Sequence, residues 1–109
     1  MYTLEDFLEG DFYIKIEQSD IPLLFDLQEW LQGHKWIDGR PIDDEYTTVY
    51  EFKRNNGQPM YIHASRHGEN CITYTIYREH ITKHVADIRD IVHEDKYEFT
   101  EEDFAQLFS

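Results

Sequence analysis

The chain has a single cysteine, Cys71, so it cannot close a disulfide within itself. Its five glycines stand apart, and none builds the Gly-rich loop whose backbone N–H groups cradle a phosphate. No Gly-x-Ser-x-Gly elbow presents a serine, and neither HExxH nor a Cys/His spacing of known metal type occurs. Apolar runs are short, none approaching the roughly 18 residues of a membrane-spanning helix. Residues 1–11 lack the basic region and apolar core of a secretion signal, which makes the cytoplasm the expected compartment. Positive charge is scarce: ten Lys and Arg face 23 Asp and Glu, for a net charge of -13. Lys and Arg contacts to phosphate supply most non-specific nucleic-acid affinity, so direct binding to nucleic acid or to an anionic membrane is disfavoured. A basic protein is the partner such a surface suits.

What is present is a foldable chain. Of 109 residues, 40% are hydrophobic and 16% aromatic, enough for one core and far from the composition of a disordered acidic tail. Thr3 to Gly10 reads as a short capped helix, with Leu4, Phe7 and Leu8 on its apolar side. Phe12 to Glu17 alternates as a strand. Ser19 or Asp20 can cap a longer helix over Ile21 to Gln32, with Pro22 in its first turn, Gly33 at its end and a stripe of Leu23, Leu24, Leu27, Trp30 and Leu31. Asp38-Gly39-Arg40-Pro41 predicts a reversal. Tyr46–Phe52, Pro59–Ala64 and Cys71–Tyr77 read as strands, joined by Asn55-Asn56-Gly57 and by residues 66–70 with hairpin composition. Ile81, Val85, Ile88 and Val92 recur at helical spacing and predict a helix over Glu79 to Val92. Thr100 with Asp103 predicts the cap of a last helix. The expected fold is one α+β domain: a four-stranded, mostly antiparallel sheet packed against an amphipathic helix, with short flanking helices.

Side chains with chemistry are few. His63 and His67, and His80 and His84, repeat one spacing and would complete a tetrahedral metal site if their segments converged, with Glu79 as a further ligand or acceptor. Cys71, inside a predicted strand, reads as core. The carboxylates gather in clusters: Glu5, Asp6, Glu9 and Asp11 near the start; Asp38, Asp43, Asp44 and Glu45 in the middle; Glu94, Asp95, Glu98, Glu101, Glu102 and Asp103 towards the end. Such clusters repeat the charge of a nucleic-acid backbone and suit a cleft lined by Arg and Lys, with steered association and charge-assisted hydrogen bonds. Tyr2, Tyr46, Tyr97 and Phe99 lie among them as aromatic anchors. Binding, not catalysis, is the expected mode of action, with no cofactor and no metal.

From Phe12 to Ile42 a helix ends in Leu31-Gln32-Gly33-His34-Lys35-Trp36 before Asp38-Gly39, and a strand meander continues to Tyr77. In this the chain resembles the small acidic accessory proteins of phages and prophages of Gram-positive bacteria, above all anti-CRISPR proteins that act on Cas9. The resemblance implies a DNA-mimicking inhibitor working in the host cytoplasm, which seats carboxylates in a basic channel and blocks target loading without chemistry. The carboxylates assigned to that contact are Asp43, Asp44, Glu45, Glu94, Asp95, Glu101, Glu102 and Asp103. Two other readings stand beside it: a regulatory module that binds a host protein through the aromatic Trp30–Trp36 region, and a small histidine-based metalloprotein.

Overall fold

Thr3 opens the first helix, its hydroxyl accepting from the Asp6 N–H at 3.1 Å. This helix, α1 (Leu4–Leu8), carries Glu5 and Asp6 in the turn where the helix dipole favours acids. It closes at Gly10, whose φ of +84° lets the N–H groups of Gly10 and Asp11 return to the carbonyls of Phe7 and Asp6. The structure, a computed structural model, describes residues 2–36, 39–42, 50, 52–64, 71–92 and 100–107.

β1 (Phe12–Ile16) leads through a 3-10 turn at Gln18–Asp20 into α2 (Ile21–Trp30), with Pro22 in the first turn. Asp20 precedes α2 but its side chain does not cap it. Its Oδ2 reaches back to accept from the Glu17 N–H at 3.0 Å, and Oδ1 takes Arg89 Nε at 2.9 Å and Nη2 at 2.8 Å. Leu24, Leu27 and Leu31 are buried as the stripe predicts, and Leu23 packs at the core margin, whereas Trp30 is 42% exposed. Ile21, Phe25, Asp26 and Gln28 are buried as well, so α2 is covered on more than one side. Beyond Gly33 the chain runs into β2 (Lys35–Trp36) and reverses as expected, Trp36 N–H bonding to the Arg40 carbonyl at 2.9 Å.

The predicted strand Tyr46–Phe52 is corrected where it is described. Tyr50 and residues 52–54 are helical, and Asn55-Asn56-Gly57 terminates a helix instead of turning a hairpin. Asn56 adopts φ +58°, Gly57 N–H bonds to the Phe52 carbonyl at 2.8 Å, and Asn56 N–H to that of Lys53 at 3.2 Å. That is the bonding of a Schellman helix end, which Asn and Gly favour for the same left-handed geometry they bring to hairpins. β3 (Met60–Ala64) and β4 (Cys71–Thr75) form where predicted. The predicted helix Glu79–Val92 is also corrected: it comprises β5 (His84–Asp87) between 3-10 turns at Arg78–His80 and Ile88–Asp90. β5 lies parallel to β1, from Phe12↔His84 to Lys15↔Asp87, and the ladder with β1 outweighs the helical spacing.

The sheet therefore has five strands, not four, in the order β2-β4-β3-β1-β5. It is mixed and not mostly antiparallel: β1–β3 and β3–β4 are antiparallel, β1–β5 and β2–β4 parallel. One face carries Phe12, Ile14, Ile16, Met60, Ile62, Ile72 and Ala86 into a single core with Phe7, the α2 leucines and Phe52. α3 (Glu101–Leu107) starts with the predicted cap, Asp103 N–H to Thr100 Oγ1 and Thr100 N–H to Asp103 Oδ2 at 3.2 and 2.9 Å. Its Phe104 packs against the core. The Cα radius of gyration, 13.2 Å, is that of one small α+β domain.

Candidate functional site

Three of the carboxylates assigned to partner binding can be placed. Glu101, Glu102 and Asp103 form the first turn of α3, exposed and at the end where acids are favoured. Asp103 closes the reciprocal cap with Thr100, so Glu101 and Glu102 have the carboxylates not committed to that cap. Asp43, Asp44, Glu45, Glu94 and Asp95 lie outside the described residues, as do Asp38, Glu98, Tyr46, Tyr97 and Phe99. Of the opening cluster, Glu5, Glu9 and Asp11 are exposed and Asp6 is half-buried on α1. Tyr2 is not a free anchor: its ring stacks on His84 at 5.3 Å, meets Phe12 edge-on at 5.0 Å, and its hydroxyl bonds to His84 Nε2. Nor do all acids face outward, since Asp20 and Asp26 are each 2% exposed.

Among the described residues, His63, His80 and His84 do not converge on a metal site. His63 alternates with buried Ile62 and points away from the core face, its ring 4.4 Å from that of Tyr13. Its Nδ1 lies 3.1 Å from the Ala64 carbonyl and its Nε2 2.5 Å from Thr73 Oγ1. The Ala64 carbonyl can only accept, which puts a proton on Nδ1, and in the neutral ring Nε2 accepts from the Thr73 hydroxyl. Burial is the largest influence on His63 and lowers its pKa from 6.5; the Ala64 bond opposes this, and nearby Lys83 adds to it. His84 instead pairs with Phe12, on the core side, and His80 packs its ring on Tyr77. His67 is outside the described residues. Among the described residues no group of three or more His, Cys, Asp or Glu is placed to hold a metal. Cys71, read as core, is half-buried beside Lys35 at the β2–β4 pairing.

Sequence reading missed a cleft of about 470 Å³ whose lining includes Arg54, Asn55, Tyr74, Thr75, Tyr77 and His80. It joins the helix end before Asn56, the end of β4 and the 3-10 turn at Arg78–His80. The available signal was the pairing of cations with aromatics in Lys53-Arg54 and Tyr77-Arg78-Glu79-His80, unusual in a chain with so few cations. No described helix is long and apolar enough to cross a membrane. Comparison with known proteins finds no matching family, no matching curated protein and no matching solved structure.

Proposed function

We propose that the chain acts by binding, as an acidic inhibitor that occupies the nucleic-acid channel of a basic protein and keeps DNA out of it. The observation that carries this reading is charge density. A net charge of -13 on a body 37 Å long is one negative charge per about 2.8 Å, against one per about 1.7 Å for duplex DNA. A surface at more than half the linear charge of DNA competes for the same Arg and Lys side chains. Glu101 and Glu102, side by side on the exposed first turn of α3, supply two of the carboxylates on a rigid element. The resemblance to phage-borne anti-CRISPR proteins makes a Cas9-type nuclease the first partner to test, in a bacterial host carrying the phage or mobile element.

The test is competition. The chain is titrated against a guide-loaded Cas9-type nuclease in the presence and absence of a PAM-containing duplex, with amide variants of Asp43/Asp44/Glu45, of Glu94/Asp95 and of Glu101/Glu102 made separately. Chain and duplex should exclude one another, and at least one variant should lose affinity several-fold. A nuclease that ignores the chain, or that binds chain and duplex together, overturns the reading.

A second reading has one observation in its favour: Trp30 is 42% exposed at the end of α2, as an aromatic anchor for a host protein would be. Trp36 does not join it, being 6% exposed with its ring edge-on to Tyr74. Trp30→Ala would abolish binding in that case and leave it unchanged in the first.

A further inference from the structure

The sheet face turned away from the core holds a pair of side chains that the proposed binding role does not use. His63 on β3 and Thr73 on β4 stand directly opposite each other in the antiparallel ladder, each next to a buried isoleucine that faces the other way. Both are half-buried, so solvent and small solutes reach them. Thr73 Oγ1 lies 2.5 Å from His63 Nε2. Across the ring, Nδ1 lies 3.1 Å from the Ala64 carbonyl, an acceptor only, so Nδ1 keeps its proton and Nε2 of the neutral ring faces the Thr73 hydroxyl as a base. The opposite tautomer would donate to Thr73 and leave its hydroxyl unactivated. Tyr13 on β1 packs on the imidazole with ring centroids 4.4 Å apart, which holds the ring in place. Burial and the ammonium of Lys83, itself bonded to the Gly10 carbonyl, keep the imidazole in its base form at neutral pH.

We propose that Thr73 is an activated nucleophile that takes an acyl group from uncharged carboxylic esters, with His63 as its general base and the Ala64 carbonyl orienting that base. A hydroxyl, a base within hydrogen-bond reach of it and a third group that fixes the base are the parts that make a weak alcohol nucleophilic. Thr73 Oγ1 adds to the ester carbonyl carbon as its proton passes to His63 Nε2, while Nδ1–H stays bonded to Ala64. The electron pair on the resulting oxyanion then re-forms the carbonyl and breaks the bond to the leaving oxygen, which takes the proton from Nε2. The acyl group is left on Oγ1 as an ester and the imidazole is neutral again. Thr73 is β-branched and sits in a strand, so few side-chain rotamers compete with the one that meets His63. A net charge of -13 repels phosphate esters and carboxylates, which makes a neutral carbonyl compound the donor such a chain admits.

Incubation of the full chain with p-nitrophenyl acetate tests this, followed by peptide mapping of the acetyl group over time. Thr75 is the internal control: it lies two residues on, on the same face of β4, its hydroxyl oxygen accepts from the Tyr77 N–H at 3.1 Å, and among the described residues no imidazole hydrogen-bonds to it. Thr73 should be acetylated about tenfold or more faster than Thr75. Hydroxylamine should strip the group, as it does from an ester and not from the amide of an acetylated lysine. His63→Gln should slow acetylation of Thr73 about tenfold or more in a chain whose thermal midpoint shows it folded, and Thr73→Ser should retain labelling at that position. Acetylation of Thr73 no faster than that of Thr75, or a rate at Thr73 that folded His63→Gln leaves unchanged, overturns the proposal.

Discussion

Asp20, between β1 and α2, binds the end of β1 through the Glu17 N–H and the turn after β5, 69 residues on, through Arg89. Its carboxylate is 2% exposed, so its oxygens depend on these protein donors in place of water. Asp20→Ala should lower stability by roughly 1–3 kcal/mol in urea denaturation, the cost of removing the charge-assisted hydrogen bonds that its carboxylate accepts. Arg89→Gln should destabilise too, because it strands the buried carboxylate; its side chain is 58% exposed. The attraction of Asp20 raises the Arg89 pKa further above its ordinary value, so the cation persists at any working pH. His63 behaves differently. Its folded-state pKa lies below 6.5, so between those two values the unfolded chain binds more protons, and His63's share of stability is present above pH 6.5 and lost as pH falls below it. Thermal midpoints measured from pH 7.5 down to about 5 should fall less steeply for His63→Gln than for the wild type.

Caps, helix stops and the strands β1, β3 and β4 were legible in the sequence, and segments whose local pattern fits two structures were not. The Thr3 cap, the Gly10 and Gly33 stops, Pro22 in the first turn of α2 and the Thr100–Asp103 box all act within a few residues, and each forms as read. β5 was misread because Ile81, Val85, Ile88 and Val92 carry helical spacing, while the deciding influence, an open edge on β1, lies some seventy residues earlier. Asn55-Asn56-Gly57 was misread because the left-handed backbone it favours serves a helix end as well as a hairpin. Trp30 was assigned to the core by its place in the stripe, yet it lies at the stripe's margin with half-buried Leu23, while Leu27 and Leu31 at its centre are fully buried. Leu27→Ala, at a fully buried position, should cost about 2–5 kcal/mol, and Trp30→Ala far less than the roughly 3–5 kcal/mol of a buried tryptophan; paired denaturation curves give both values.

At the scale of the molecule, the net charge was plain from composition and the cleft was not. Acidity is a sum over residues and needs no fold, but Arg54, Thr75, Tyr77 and His80 become neighbours only once β4 is paired and the helix before it has ended. Of the carboxylates assigned to partner binding, Glu101, Glu102 and Asp103 sit in the first turn of α3, while Asp43, Asp44, Glu45, Glu94 and Asp95 lie outside the described residues. The proposed function rests on the carboxylate-rich surface, and the cleft is a separate feature of the fold. The central claim concerns the first, and the salt dependence of affinity for the basic nuclease tests it most directly. If carboxylates stand in for DNA phosphates, affinity should fall at least tenfold between about 50 and 200 mM salt, with log Kd linear in log salt. An affinity that stays flat across that range would contradict the account.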